Sequence, residues 1–518
     1  MAPSLCLIKR IPRLMSGAAF LSLVAFSNLS VVAPVSASSG RDDLSDADLA
    51  KVEAILKGPT SFDKSEPFEA LSAGKATGSA EPAAKAYSQA NKPLSREDRQ
   101  WFQLGFSIFK KLWVSSPAST KASDGLGPLF NARSCLRCHP ANGRGHPPEP
   151  GEIDARTFLI RLSVPASTEE EKASLASKVA NAIPHPVYGG QLQDRALPGL
   201  PPEARVDVRY ETVPVELADG EVVELRKPTF QLRDFGYGDP GDEMMMSPRV
   251  ATAMIGLGLI DAIHPSDLQA NADPDDNDGD GISGKINWVK DKRSGEIMPG
   301  RFGWKATEPN VYQQSSHASV GDLGLSVPIL PSHFGDCTDA QEICKRFPHG
   351  GQENLGGLEI PQVPMDMMVF YTANIAVPER RDVDDPQVLM GKEVFHEAGC
   401  ASCHKPKYVT RRDAALKQHQ FQLIWPYSDF LLHDMGPDLA DNRPIGDASG
   451  SEWRTAPLWG IGLAQNVAPD ATFLHDGRAR TLLEAVLWHG GEAQSARDHV
   501  VGLQKTQRDA LLAFLNSL

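Results

Sequence analysis

The chain has 518 residues, 41% of them hydrophobic and 23% charged, which allows two or three globular domains and excludes a fibrous or disordered class. Its net charge of −14 argues against nucleic acid and against an anionic membrane surface as partners. The 44 glycines and 40 prolines point to much loop and turn between short helices.

Residues 1–37 read as a signal peptide. Lys9, Arg10 and Arg13 form its basic start, and residues 15–27 (MSGAAFLSLVAFS) form an apolar run too short for a span. Val35-Ser36-Ala37 is a small-residue cleavage site. A periplasmic protein with no membrane span after cleavage is expected. Loss of three basic residues leaves the rest more acidic still, which suits a small basic electron-donor or acceptor protein and equally serves solubility.

Residues 38–94 read as an N-terminal extension with a weak helical pattern near Leu44 to Leu56. Ser95 with Asp98 then resembles a capping box. Trp101, Gly105, Ile108, Phe109 and Leu112 follow at helical spacing. Next comes Cys135-Leu-Arg-Cys138-His139, and the pattern returns as Cys400-Ala-Ser-Cys403-His404. With 7 Cys and 14 His, a random chain of this length would show on the order of 0.003 such motifs. The spacing suits covalent haem c: two thiols add to the haem vinyl groups, and the adjacent histidine reaches the iron. Zinc is the competing ligand chemistry for CxxC pairs, and the export signal and the adjacent histidines favour haem.

Between the motifs, ARVDVRYETVPVELADGEVVELRKPTFQLRD alternates as strands do, with a hairpin turn at Asp219-Gly220. Residues 249–263 read as an apolar helix. Asp276-Asn-Asp278-Gly-Asp280-Gly281 fits a calcium-loop frame, with the Ile282 carbonyl as a further ligand and Asn287 at the twelfth position in place of the bidentate Glu. Cys337 and Cys344 are expected to form a local disulfide, while Cys6 leaves with the signal. LGFSIFKKLW before the first haem motif is echoed by MGKEVFHEAG before the second. In TLLEAVLWHGGEA, Leu482, Val486 and His489 share a helix face, so His489 is a candidate far-side ligand of the second haem, with Met435 and His475 as rivals. Lys505 to Leu518 reads as an amphipathic closing helix.

The expected fold is mainly α: two cytochrome c-like haem domains over 95–380 and 381–518, with long loop-rich and partly β insertions in and after the first. The blocks GPLFNARSCLRCH, YGGQLQDRALPG, SPRVATAMIGLGLIDAI, DGDGISGKINWV, GRFGWKA, LLHDMGPDLAD and EWRTAPLWGIGL resemble the di-haem oxidoreductase family often labelled thiol oxidoreductase. That family is similar to bacterial di-haem cytochrome c peroxidases, and the resemblance runs from about residue 96 to the end. It implies His489 where the peroxidases carry a methionine, hence two axial histidines, His404 and His489, and a lower potential. It also implies that His139 holds a first haem whose sixth site is open or displaceable. His146, His185, His264 and His317 are candidates for its far side, and Gln191, Asp194, Arg195 and Glu203 are candidate catalytic groups. The implied function is a peroxidase-like enzyme acting on a small-molecule oxidant or substrate, with electrons passing between the second and first haem. An electron-transfer cytochrome and an oxygen-activating di-haem enzyme are the alternatives. Nothing in these residues shows the thiol activity of the family label.

Overall fold

The computed structural model describes residues 40–152 and 156–518, and the predicted export signal lies outside them. Its main elements are α1 (Asp46–Leu56), α2 (Arg96–Phe109), β1 (Phe158–Ser163), β2 (Arg205–Glu216), β3 (Val222–Arg233), β4 (Met245–Val250), α3 (Leu257–Asp261), α4 (Val311–Leu323), α5 (Gln362–Ala373), α6 (Pro386–Glu397), α7 (Leu482–Leu487) and α8 (Lys505–Ser517). The strands of the described residues pair into six two-stranded sheets, all antiparallel. No helix among these residues is long and apolar enough to cross a membrane.

Local chemistry explains the main helix starts. Ser95 and Asp98 close a reciprocal capping box on α2. Asp385 caps α6 ahead of Pro386, and the Thr481 side chain caps α7. The hairpin forms as expected but is longer than its turn signal suggests: β2 and β3 pair over twelve residues each, with Gly220 at φ 82° in the turn. The expected helix over 249–263 shrinks to α3. Residues 245–250 instead pair with β1, and Gly256 at φ 70° breaks the chain before Leu257. Within residues 40–94, Ala73, Ala76, Ala80, Ala86 and Tyr87 lie in the largest apolar core, and the Tyr87 hydroxyl bonds the Gly460 carbonyl.

Two helix pairs repeat one packing arrangement. α2 crosses α5 so closely that a Cβ on Gly105 would lie 2.0 Å from the Met367 carbonyl oxygen and 2.6 Å from Tyr371 Cβ. α6 crosses α8 in the same way: a Cβ on Gly391 would lie 1.9 Å from the Ala510 oxygen and 2.8 Å from Phe514 Cβ. Four residues after each glycine a phenylalanine meets the closing helix, Phe109 on Tyr371 at 5.2 Å and Phe395 on Phe514 at 5.1 Å between ring centres. The hairpin ties these parts together. Arg508 of α8 reaches Asp219 at 2.8 Å and Glu221 at 2.6 Å in its tip. Val215, Leu217 and Leu225 pack with Leu487 and Trp488.

Overpacking a close crossing costs about 1–3 kcal/mol. Gly391→Ala and Gly105→Ala should each lower the unfolding free energy of the holoprotein by at least about 1 kcal/mol in denaturant titrations. Gly58→Ala, where an added Cβ meets nothing within 4 Å, should change it by less than about 0.5 kcal/mol.

Candidate functional site

Each CxxCH forms a single helical turn that puts both thiols on one side, and the His139 and His404 amides close back on the Cys135 and Cys400 carbonyls at 3.0 and 2.9 Å. The glycine crossings then set what lies beside each imidazole: Phe109 is 6.4 Å from His139 and Phe395 is 6.4 Å from His404. Nδ1–H of His139 donates to the Thr252 carbonyl at 2.8 Å, and Nδ1–H of His404 donates to that of Tyr427 at 2.9 Å. Each bond fixes the tautomer and leaves the Nε2 lone pair for a metal. Burial lowers the pKa of His139 below its ordinary value. Burial takes His404 down to about 4, and the neighbouring His489 adds to this. Both are neutral, as iron ligation requires. Cys337 and Cys344 are joined in a disulfide, and Cys135, Cys138, Cys400 and Cys403 take no part in one.

His489 follows α7, whose Leu482, Leu483 and Val486 pack with Cys400 and Ala401 against Phe395, Tyr427 and Phe514. Its Nδ1–H donates to the Ala485 carbonyl at 2.7 Å, and burial lowers its pKa too. It therefore presents a free Nε2 near His404. The rivals are placed otherwise. His475 stacks on Trp453 at 3.6 Å, and Met435 packs among the apolar residues around Trp488 and Trp453.

Cys135, Cys138 and His139 open into a cavity of about 1030 Å3, at the upper end of small-molecule sites. Among its lining residues are Arg161, Gln191, Arg249, Trp304, Glu308, His317, Ala318, Asp322 and Arg443. Arg249 Nη2 and Arg443 Nε and Nη1 are buried and hydrogen-bond to nothing. Burial takes Arg249 down to about 10, and burial with Arg249 and Arg161 nearby takes Arg443 down to about 9. Buried cations with unused N–H groups call for an anion. A haem, with its two propionates and its flat apolar body, fits this donor set beside a CxxCH.

Of the four polar candidates, only Gln191 lines this cavity. Its Nε2 donates to Asn131 Oδ1 at 2.7 Å and Asp322 Oδ1 at 2.8 Å, while Oε1 is buried and unpartnered. Asp194 and Arg195 sit by a smaller cavity and lie 3.8 Å from each other, with Asn131 bonded to both. Glu203 is a structural buried acid, accepting from the Gln193 amide and from Gln341 Nε2, each at 2.6 Å, and burial raises its pKa well above the ordinary value.

Of the candidate histidines, only His317 faces the cavity, with Nδ1 2.6 Å from Glu308 Oε1. His185 bonds the Pro240 carbonyl, His146 the Pro147 carbonyl, and His264 caps a short helix and meets Asp42. The signal for Glu308 and His317 is structural. Phe302 bridges Glu308 as Phe473 bridges Ala479, and eight residues after each phenylalanine a cap, Asn310 or Thr481, starts α4 or α7. In this register Ala318 stands where His489 stands.

Asp276, Asp278 and Asp280 offer oxygens within 4.8 Å of one another. Backbone amides hold the loop: Gly281 donates to Asp276 at 3.1 Å and Ile282 to Asp280 at 2.8 Å. Asn287 is not part of it. Its side chain is buried, donating to the Lys305 carbonyl at 2.7 Å and accepting from the Asp447 amide at 2.9 Å. The twelfth position is thus used in the core.

These features define a protein with two CxxCH sites whose histidines present a free nitrogen, one of them beside a large cavity. The family described as "Di-haem oxidoreductase, putative peroxidase" matches residues 69–518, and the chain belongs to it. No curated protein matches the sequence. Among solved structures, Kuenenia stuttgartiensis hydrazine synthase under 20 bar xenon shares 16% identity at a TM-score of 0.22. The match covers 36% of this chain and spans 63% of that one.

Glu203→Ala leaves two buried donors without an acceptor, at roughly 1–3 kcal/mol each. It should lower thermal stability, and at temperatures where the fold persists turnover should stay unchanged. Turnover lost with an unshifted Tm would instead make Glu203 catalytic.

Proposed function

We propose that this chain is a periplasmic di-haem c-type oxidoreductase of peroxidase type, with an open first centre and a closed second one. The observation that carries the reading is the pairing of Ala318 with His489 in the repeated segments. A methyl group cannot ligate iron, whereas His489 can. Cys135 with Cys138 and Cys400 with Cys403 would form two thioether bonds each, within two cytochrome c-like units opened by α2 and α6. Held there, haem would supply single-electron exchange and, beside Ala318, a place for a small oxidant.

The chain's own groups supply the rest. Arg249 and Arg443 would neutralise propionates. Reduction of a peroxide to two waters consumes two electrons and two protons, so a proton-holding group must lie in the cavity. The His317–Glu308 pair has that character, one residue from Ala318. Glu308 orients the imidazole, and Gln191 Oε1 offers an acceptor. His404 and His489 would hold the second haem, and two imidazole ligands would give it a low potential suited to passing electrons toward the first. The acidic surface fits a small basic donor protein, and the disulfide fits an exported chain. We also assign Asp276, Asp278 and Asp280, with the Ile282 carbonyl, to a calcium ion of modest affinity.

Three variants test the centres by spectroscopy and turnover. The wild type should show one high-spin or ligand-accessible haem in the ferric or half-reduced state. Ala318→His should turn it low-spin and abolish peroxide turnover, His317→Ala should slow turnover by roughly 10²–10⁴-fold, and His489→Gly should make the other haem high-spin. Low-spin spectra in every state of the wild type would reassign the protein as an electron carrier.

Calcium at 100 times its Kd should add about 2.7 kcal/mol of stability. Chelation should therefore lower the Tm. Asp278→Asn should blunt that response and Asn287→Ala should retain it. An unchanged Tm together with no calcium by elemental analysis would make the loop only a turn.

A further inference from the structure

Outside both centres, a second ligand set is built between the cavity wall and the surface. The strip 329–336 contributes Leu330, Ser332 and Asp336 to the wall of the large cavity, and it carries His333. The disulfide between Cys337 and Cys344 fastens the chain just beyond it. His349 returns from the exposed turn that follows and stacks on His333, with ring centres 4.0 Å apart and planes at 17°. A nitrogen lone pair lies in its ring plane, so His349 would have to rotate out of this stack to share an ion with His333.

Glu359 lies beneath them with its side chain buried. Its oxygens accept from the Ser326 amide at 3.0 Å and hydroxyl, from the Gly350 amide at 2.9 Å, and from His333 Nδ1 at 2.9 Å. The carboxylate is thus committed to holding the site. Nδ1–H of His333 donates to it, so Nε2 keeps its lone pair. This is the carboxylate–histidine pairing that orients imidazoles toward a metal. The ring is wedged in place: a Cβ on Gly351 would come within 2.7 Å of His333 Cε1.

We infer that His333 and His349 bind one borderline divalent transition-metal ion, of the zinc or copper kind, with Glu359 as the group that positions His333. Imidazole nitrogens favour these ions over calcium or magnesium, which take oxygen. Metal–nitrogen bonds of about 2.0–2.1 Å need the two ligating nitrogens within about 4 Å of each other. One ligand atom from each of His333, His349 and Glu359 lies within 4.8 Å of the others, and rotation of the exposed His349 side chain out of the stack would bring its nitrogen into line with that of His333. Water or a surface ligand fills the remaining positions. The ion would tie the cavity strip to the turn at 349–350, a second fastening of that wall besides the disulfide.

The test uses the holoprotein with both haems, stripped of loosely held metal and titrated separately with zinc and with cupric ions, with iron per chain measured alongside. One equivalent of zinc or copper should bind beyond the iron. His349→Ala, an exposed substitution with little bearing on folding, should weaken this by at least tenfold. Glu359→Gln should weaken it by roughly 10–100-fold, and unchanged haem spectra would show that the fold is kept. Tighter copper than zinc follows the general order for nitrogen sites. If the wild type and the His333→Ala/His349→Ala double variant take up equal metal with equal affinity, or neither takes any, the site does not exist.

Discussion

Backbone contact at two glycines positions both haem motifs. Gly105 and Gly391 let their helices touch the carbonyls of α5 and α8, a distance that no side chain permits. One helical turn later the phenylalanine shares that face, because residues four apart stack on one side of a helix. It therefore lands beside the motif histidine, 6.4 Å away in each case. The histidine is fixed from its other side by a backbone carbonyl, so the direction of its free nitrogen follows from main-chain geometry. A site built this way holds each CxxCH imidazole by main-chain contacts, whatever the surrounding loops do.

The buried cations show where the molecule needs something that the polypeptide does not provide. Lys392 is buried and meets Glu66 and Glu69 at 2.9 Å. Lys305 is buried, meets Asp441 at 2.7 Å and also bonds two carbonyls. Each of these charges has its counter-charge. Arg249 and Arg443 are buried as deeply, yet keep unused N–H groups where the cavity opens beside Cys135 and His139. An unpaired buried charge is among the costliest features a fold can carry. At this one cavity, in a chain whose buried lysines Lys305 and Lys392 are paired, these N–H groups are the donors that the propionates of the proposed haem would meet.

Much of this could be read from the chain. The capping box at Ser95, the hairpin turn at Gly220, the disulfide and both CxxCH turns depend on local chemistry, which a sequence displays directly. The place of His489 near His404 was legible because a helical repeat with Leu482 and Val486 put it on an apolar face. Other features depend on distant partners and left no local trace. Residues 249–263 are apolar enough for a helix, but β1, ninety residues earlier in the chain, claims 245–250 as a strand. Asn287 keeps calcium-loop spacing while its side chain serves the core. Glu203 and Asp194 lie in a segment rich in polar groups, and only the fold separates the one that faces the cavity, Gln191, from those that do not. The polar residues of 38–94 concealed the small alanines that dock.

The two halves matter most where they differ. The segments 302–318 and 473–489 share a bridge, a cap and a helix, yet only Phe302 and Phe473 are identical between them at matched positions, so sequence alone hides the correspondence. Once they are aligned, one scaffold carries two outcomes. In the second half the chain ends its helix early and brings His489 to His404. In the first, α4 runs on for thirteen residues, sets Ala318 at that position and turns His317 toward Glu308. If His489 is the ligand proposed above, the same exchange would remove a ligand and add the His317–Glu308 pair, on the side that has the large cavity. A structure needed only for electron storage would have no use for that combination, since two closed centres serve it better. Room, an absent ligand and an oriented imidazole, gathered in the first half alone, are what a centre that binds a small oxidant requires.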